Sequence, residues 1–179
     1  MKVLLDACVL YPTVLREILL GVAGKGLFQP LWSARILEEW ARAARKIGPT
    51  GEMQARAEIA LLRAAWPGAE VAVPAGLEAR LWLPDPADIH VLAAAIAGNA
   101  DTIVTFNARD FPRDTLAEEG LRRDAPDALL LDLWQTHPDA VAGVVDAVRQ
   151  EAARLSGEEM AVRALLKRAR LPRLGKALE

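Results

Sequence analysis

Residues 83–112 read LPDPADIHVLAAAIAGNADTIVTFNARDFP, a helix followed by a buried strand with acids at the ends of both. Asp85 can cap the helix, Pro86 suits a first turn where its missing N–H would be unbonded anyway, and Asp88 falls about one turn in. At roughly 100° per residue Asp88 shares a face with Val91, Leu92, Ala95 and Asn99, the apolar stripe, while His90 points to the opposite side. Thr102 to Thr105 is a short apolar, β-branched run between Gly98-Asn99-Ala100-Asp101 and Asn107, the pattern of a buried parallel strand. Asn107 and Asp110 lie just past its carboxyl end, where open α/β sheets bind ligands.

The N-terminus repeats this arrangement. Val3, Leu4 and Leu5 form an apolar strand that stops at Asp6, and Tyr11-Pro12 opens a helix running through Arg16 to Val22. Ser33 can cap a helix whose buried face carries Ile36, Leu37, Trp40, Ala44 and Ile47. Glu38 and Glu39 flank that face, each about 130° from its centre on opposite sides, so helical geometry does not choose between them. Ala55 to Trp66 is amphipathic, Pro67-Gly68 ends it, and a short strand is expected near residues 70–73.

Taken together, D-A-C-V-L-Y-P at Asp6, I-L-E-E-W at Glu39, D-P-A-D-I-H-V-L-A-A-A at Asp88 and T-F-N-A-R-D-F-P at Asn107 and Asp110 resemble a PIN domain over roughly residues 1–135. In order and spacing they are similar to the toxin branch of that family, the VapC-like ribonucleases. The resemblance implies a three-layer α/β/α sandwich with a mainly parallel central sheet, in which acids gather around a divalent metal. It assigns Asp6, Glu39, Asp88 and Asp110 to the acidic cluster and Asn107 as a further polar member. It favours Glu39 over Glu38 because the family's glutamate usually stands directly before the apolar residue, here Trp40. Cys8 occupies a place where many relatives carry Ser or Asn, and Asn107 one where some carry Asp.

The chemistry follows from the residue types. Carboxylates about 4 Å apart repel by roughly 4 kcal/mol per pair at an effective dielectric near 20. A raised pKa can offset this, but a set of carboxylate oxygens suits Mg²⁺ or Mn²⁺, hard cations that keep waters and bind phosphate oxygens. One cysteine and two distant histidines, His90 and His137, supply no zinc-ligand spacing. The expected reaction is metal-dependent hydrolysis of an RNA phosphodiester bond. The protein is then expected to be an endoribonuclease and the toxin of a toxin–antitoxin pair, with RNA as substrate, an antitoxin protein as partner and a homodimer as the family's habit. The alternative from another class is a non-catalytic RNA-binding or partner-binding module on the same fold.

Other chemistries find little support. No G-x-G-x-x-G or G-x-x-x-x-G-K-[ST] loop follows the first strand, and neither Ser33 nor Ser156 sits in a nucleophile elbow. An aspartyl-nucleophile phosphatase would carry a second Asp where Cys8 stands. Cys8, beside a buried strand, reads as a small apolar residue ahead of a nucleophile.

Over 179 residues the chain is 53% hydrophobic and 26% charged, enough for one substantial core and a small appended unit. It has no membrane-spanning apolar run, and Asp6 interrupts the start too early for a secretory signal, so a cytoplasmic location without membrane attachment is expected. A net charge of −2 argues against a broad electrostatic surface for duplex nucleic acid, so RNA contacts must be local. Arg109 and Arg113 flank Asp110 and are the foremost candidates to meet phosphates; Arg42, Arg45 and Lys46, and Arg122 with Arg123, form further patches. The five tryptophans follow no helical or stacking period and read mostly as packing residues, with Trp82 a candidate to line a groove.

Residues 127–131, DALLL, read as a last strand. The remainder, 136–179, is expected as a helical C-terminal extension: one helix from Pro138 to Gly157 and a second from Glu158 to about Arg170. The run from Arg163 to Lys176 contains no acid, and three roles are open to it: binding RNA, docking the antitoxin, or covering the catalytic domain.

Overall fold

The computed structural model describes residues 1–179. Five strands, β1 (Lys2–Leu5), β2 (Gln29–Ser33), β3 (Glu70–Val71), β4 (Thr102–Val104) and β5 (Arg122–Asp124), form one parallel sheet in the order β3-β2-β1-β4-β5. Val3 pairs with Pro30 on one side and Thr102 on the other. β1 and β4, the two apolar runs of the sequence, are central, and Val3, Leu4, Leu5, Ile103 and Val104 are fully buried. Both faces of a parallel sheet must be covered, which is why these strands are continuously apolar rather than alternating.

The chain leaves β1 toward β2 and β3, then returns past β1 to β4 and β5. With right-handed crossovers, connections made in opposite directions lie on opposite faces. Accordingly α1 (Ala7–Leu10), α3 (Ala34–Ala43) and α4 (Gly51–Ala65) follow the first set of strands, and α5 (Ile89–Ala97) and α6 (Arg113–Glu118) the second. The strand order reverses between β1 and β4, and the crevice at the carboxyl ends of such a pair is where open α/β sheets bind ligands. Asp6 and Thr105 are the residues that immediately follow those two strands.

The chain divides into two compact units. The first comprises residues 1–11 and 29–124, which hold the whole sheet. The second comprises residues 12–28 and 125–179: α2 (Thr13–Gly24), α7 (Pro126–Thr136), α8 (Pro138–Ser156), α9 (Val162–Arg168) and α10 (Pro172–Ala177). Within it α2 packs on α8, and α7 on α8 and α10. Residues 136–179, expected as the appended part, are thus joined there by α2 and α7.

Several local expectations are corrected. Residues 127–131 are helical, because Pro126 starts α7 and Asp127 turns inward to accept hydrogen bonds from the Arg173 and Leu174 N–H groups at 2.9 and 3.0 Å. A short apolar run fits strand or helix equally well. The last strand is instead the charged edge Arg122–Asp124, whose Asp124 accepts from Thr102 Oγ1 at 3.0 Å; charged edge strands carry no apolar period. The second C-terminal helix, expected from Glu158 to about Arg170, is the shorter α9 (Val162–Arg168); the chain turns at Arg170 (φ 62°), Pro172 disfavours helical geometry at Leu171, and α10 follows as an additional helix. Ile47 is 70% exposed because α3 tightens into a 3₁₀ turn over Ala44–Ile47, which rotates it off the buried face. Of the tryptophans, Trp32 and Trp40 are buried and Trp82 is exposed.

Candidate active site

The site begins with Asp6, 7% exposed at the end of β1. Its backbone N–H continues the ladder to Val104 O at 3.1 Å, and its Oδ1 caps α1 by accepting from the Ala7 N–H at 2.7 Å. Oδ2 accepts from Thr105 Oγ1 at 2.7 Å and from Cys8 Sγ at 3.2 Å. A hydroxyl just past β4 and a thiol in α1 therefore lock the carboxylate's orientation. Burial, and then the neighbouring Asp6 charge, push the Cys8 thiol up to about 12, so it stays a protonated donor rather than a nucleophile. Its sulfur also accepts from the Phe106 N–H at 3.3 Å. Cys8 thus takes over the orienting contact a hydroxyl or amide would make.

The same hydroxyl of Thr105 accepts from the Asn107 N–H at 2.9 Å, and Asn107 Nδ2 donates to Asp88 Oδ2 at 3.0 Å. A continuous chain of hydrogen bonds thereby connects Asp6 to Asp88 through Thr105 and Asn107. Asp85 caps the turn Pro86–Asp88 through the Ala87 N–H at 2.9 Å, as expected, but that turn is 3₁₀ rather than α-helical. The tighter winding brings Asp85 and Asp88 to one side, where Asp110 meets them: carboxylate oxygens of all three lie within 4.8 Å of one another. No Lys or Arg pairs with any of the three.

Asp88 registers the crowding most strongly. Partial burial raises its carboxyl, and Asp6, Asp85, Asp110 and Glu39 push it further, to about 6. A set of hard oxygen donors, one already pushed toward protonation and none neutralised by a side-chain cation, fits a divalent ion such as Mg²⁺ or Mn²⁺.

The structure separates the two glutamates. Glu38 turns away to Arg42 and Arg56, both at 2.8 Å, and these guanidinium groups hold its carboxyl down at about 2. Glu39 and Asp6 add to the charge felt by Asp88 but are not part of the three-carboxylate group, and Glu39 lies 2.7 Å from His90 Nε2 and 4.0 Å from Arg35 Nε. His90, expected to point away from the apolar side, is 2% exposed instead. The 3₁₀ turn shifts the helical phase, and α5 is buried nearly all round, from His90 through Ala95. The Glu39 carboxylate lies off the ring N–H direction, and neither ring nitrogen makes an aligned hydrogen bond. Arg109 and Arg113 are exposed on either side of Asp110.

Three residues of this site escape sequence reasoning: Asp85, which reads only as a cap; Thr105, which reads only as a strand residue; and His90. The signal for Asp85 is D-P-A-D itself, since carboxylates at both ends of a single 3₁₀ turn nearly eclipse.

A family model described as PIN domain matches residues 2–109, which include Asp6, Glu39, Asp85, Asp88 and Asn107. The chain belongs to the PIN domain family. This PIN domain is also similar to a Mycobacterium tuberculosis protein named "Putative ribonuclease VapC50", 41% identical over 64 residues. That stretch is 34% of this chain and 38% of the relative, so the chain spans well under half of the VapC-like protein it matches. No solved structure matches it.

Proposed function

We propose that this PIN-domain protein is a divalent-metal-dependent endoribonuclease, the toxin of a toxin–antitoxin pair. The observation that carries the reading is the Asp85–Asp88–Asp110 cluster, unpaired with cations and placed beside Asp6 and Glu39 at the switch point of the sheet. Asp6, Asp88, Asp110 and Glu39 are the residues assigned to hold Mg²⁺ or Mn²⁺, and Asp85 joins them on the strength of its position. When bound, such an ion supplies acidification of a water and charge neutralisation on phosphate oxygens.

The chain's own groups do the positioning. Thr105 and Cys8 hold Asp6, and Asn107 holds one oxygen of Asp88 and leaves the other free. The buried His90 ring lies against the Glu39 carboxylate. Arg109 and Arg113, flanking Asp110, are assigned to the phosphates of the incoming RNA. An antitoxin partner and a homodimer are proposed from the VapC likeness alone.

The test is RNA cleavage in Mn²⁺ by the parent and by Asp6→Asn. Cleavage by the parent is expected, with loss of at least a hundredfold in the variant. Equal rates would remove Asp6 from the reaction, and no cleavage by the parent in any divalent metal would remove the nuclease reading.

A further inference from the structure

Charge in the second unit is sharply segregated. Residues 125–162 hold two cations against seven acids, whereas residues 163–179 hold six cations against the single acid Glu179. The six cations lie on α9, α10 and the turn between them, and all are exposed. Arg163 is taken by Glu179 at 2.7 Å. Lys167, Arg168, Arg173 and Lys176 make no side-chain ion pair or hydrogen bond.

The backbone beneath them is fixed. Leu165, Leu166, Ala169, Leu171 and Leu174 are buried, so both short helices turn their apolar sides inward and their cations outward. Arg170 is held in the left-handed region, a conformation costing a non-glycine residue roughly 1–2 kcal/mol. Asp127, 8% exposed, accepts the Arg173 and Leu174 N–H groups and ties the start of α10 to α7. A strained turn and a buried carboxylate thus maintain a cationic face on which Lys167, Arg168, Arg173 and Lys176 are left without acidic partners.

We propose that this face of α9 and α10 binds the phosphate backbone of RNA. The inference rests on RNA being the substrate. The first unit carries twelve cations against fifteen acids and concentrates several of the acids at the candidate active site, so it repels a polyanion. Beyond the two local contacts of Arg109 and Arg113, attraction must come from elsewhere on the chain, and no other run of the sequence matches 163–176 in cation excess. A protein partner is the poorer fit, because interface centres need apolar or aromatic anchors and are poor in lysine. The large exposed apolar side chains are Met1, Ile47, Met53, Leu61, Trp82 and Leu155, and none falls within 163–179. Phosphate contacts need no such anchor, and arginine's planar fork suits them.

The experiment measures binding of a labelled single-stranded RNA oligonucleotide to the full chain by fluorescence anisotropy, in EDTA so that no cleavage occurs, across a salt series. It compares the parent with the quadruple variant Lys167→Gln, Arg168→Gln, Arg173→Gln and Lys176→Gln, whose exposed positions leave the fold intact by circular dichroism. Every phosphate no longer neutralised by a cation reduces the slope of log affinity against log salt by about 0.7, so the variant's slope should be shallower by about 3 and its low-salt affinity at least tenfold weaker. Unchanged slope and affinity overturn the proposal. So does a variant that keeps RNA affinity while losing binding to phosphatidylserine vesicles, which would make the face a lipid-headgroup site. Hydrolysis of bis(p-nitrophenyl) phosphate in Mn²⁺ is run alongside and should be equal in both proteins. If neither protein hydrolyses it, the nuclease reading is what suffers, and the anisotropy data still judge the surface.

Discussion

Neutralising Asp88 should stabilise the metal-free protein. Its carboxyl is pushed up to about 6 from an ordinary value near 3.8, by partial burial and by four neighbouring carboxylates. A folded-state value above the unfolded one means that the folded chain binds the proton more tightly. Stability in EDTA therefore falls as pH rises from about 4 to about 6, and the full penalty remains above that window. A rise of that size corresponds to roughly 3 kcal/mol, which solvent screening of a partly exposed group reduces to about 1–1.5 kcal/mol. Asp88→Asn removes the charge and keeps an oxygen to accept from Asn107 Nδ2. Thermal unfolding in EDTA near pH 7.5 should place its midpoint about 2–6 °C above the parent's, with the difference shrinking toward pH 4. A variant equal to or less stable than the parent at neutral pH, with no convergence on acidification, would refute the view that Asp88 is the strained centre of a charged cluster.

Four further outcomes follow from the geometry. Saturating Mn²⁺ at about a hundred times its Kd should raise parental stability by about 2.7 kcal/mol in thermal-shift measurements, and Asp85→Asn should lose much of that gain because Asp85 belongs to the cluster. Thr105→Val deletes the hydroxyl that donates to Asp6 and accepts from the Asn107 N–H, so it should cost about 1–3 kcal/mol and weaken Mn²⁺ binding, measured by calorimetry. His90→Ala removes a ring that lies against Glu39 without an aligned hydrogen bond, so it should weaken Mn²⁺ binding by less than the roughly 10- to 100-fold typical of a hydrogen-bonded outer partner; equal affinity in both proteins would mean that Glu39 needs no support from His90. Asp127→Ala leaves two N–H groups of α10 unbonded and should cost about 1–3 kcal/mol by chemical denaturation.

Legibility in the sequence follows the strength of local signals. β1 and β4 are readable because strands covered on both faces are continuously apolar, and the acids draw notice because Asp6 directly follows β1, Asp110 lies in the loop after β4 and Asp88 stands at the start of α5. The Ser33 cap is observed, with the Ile36 N–H donating to its Oγ at 3.2 Å. What stays hidden depends on helical phase or on partners distant in sequence. Counting an ideal helix from Asp85 misplaces His90, because the 3₁₀ turn winds differently from the helix it starts. Choosing between Glu38 and Glu39 needs Arg56 and His90, which come from elsewhere in the chain. DALLL and RRD exchange roles because the first is apolar enough for either state and the second is an edge that stays charged. The end of the helix near Arg170 is readable, whereas the six-residue α10 beyond it is too short to display an apolar period.

The most direct measurement of the central claim is Mn²⁺ binding by isothermal titration calorimetry to the parent and to Asp88→Asn, paired with RNA cleavage by the same preparations. The parent is expected to bind and cleave, and the variant, although more stable without metal, to do neither. A variant that binds Mn²⁺ as tightly as the parent and cleaves RNA at the same rate would contradict the assignment of Asp88 to a metal-dependent nuclease centre.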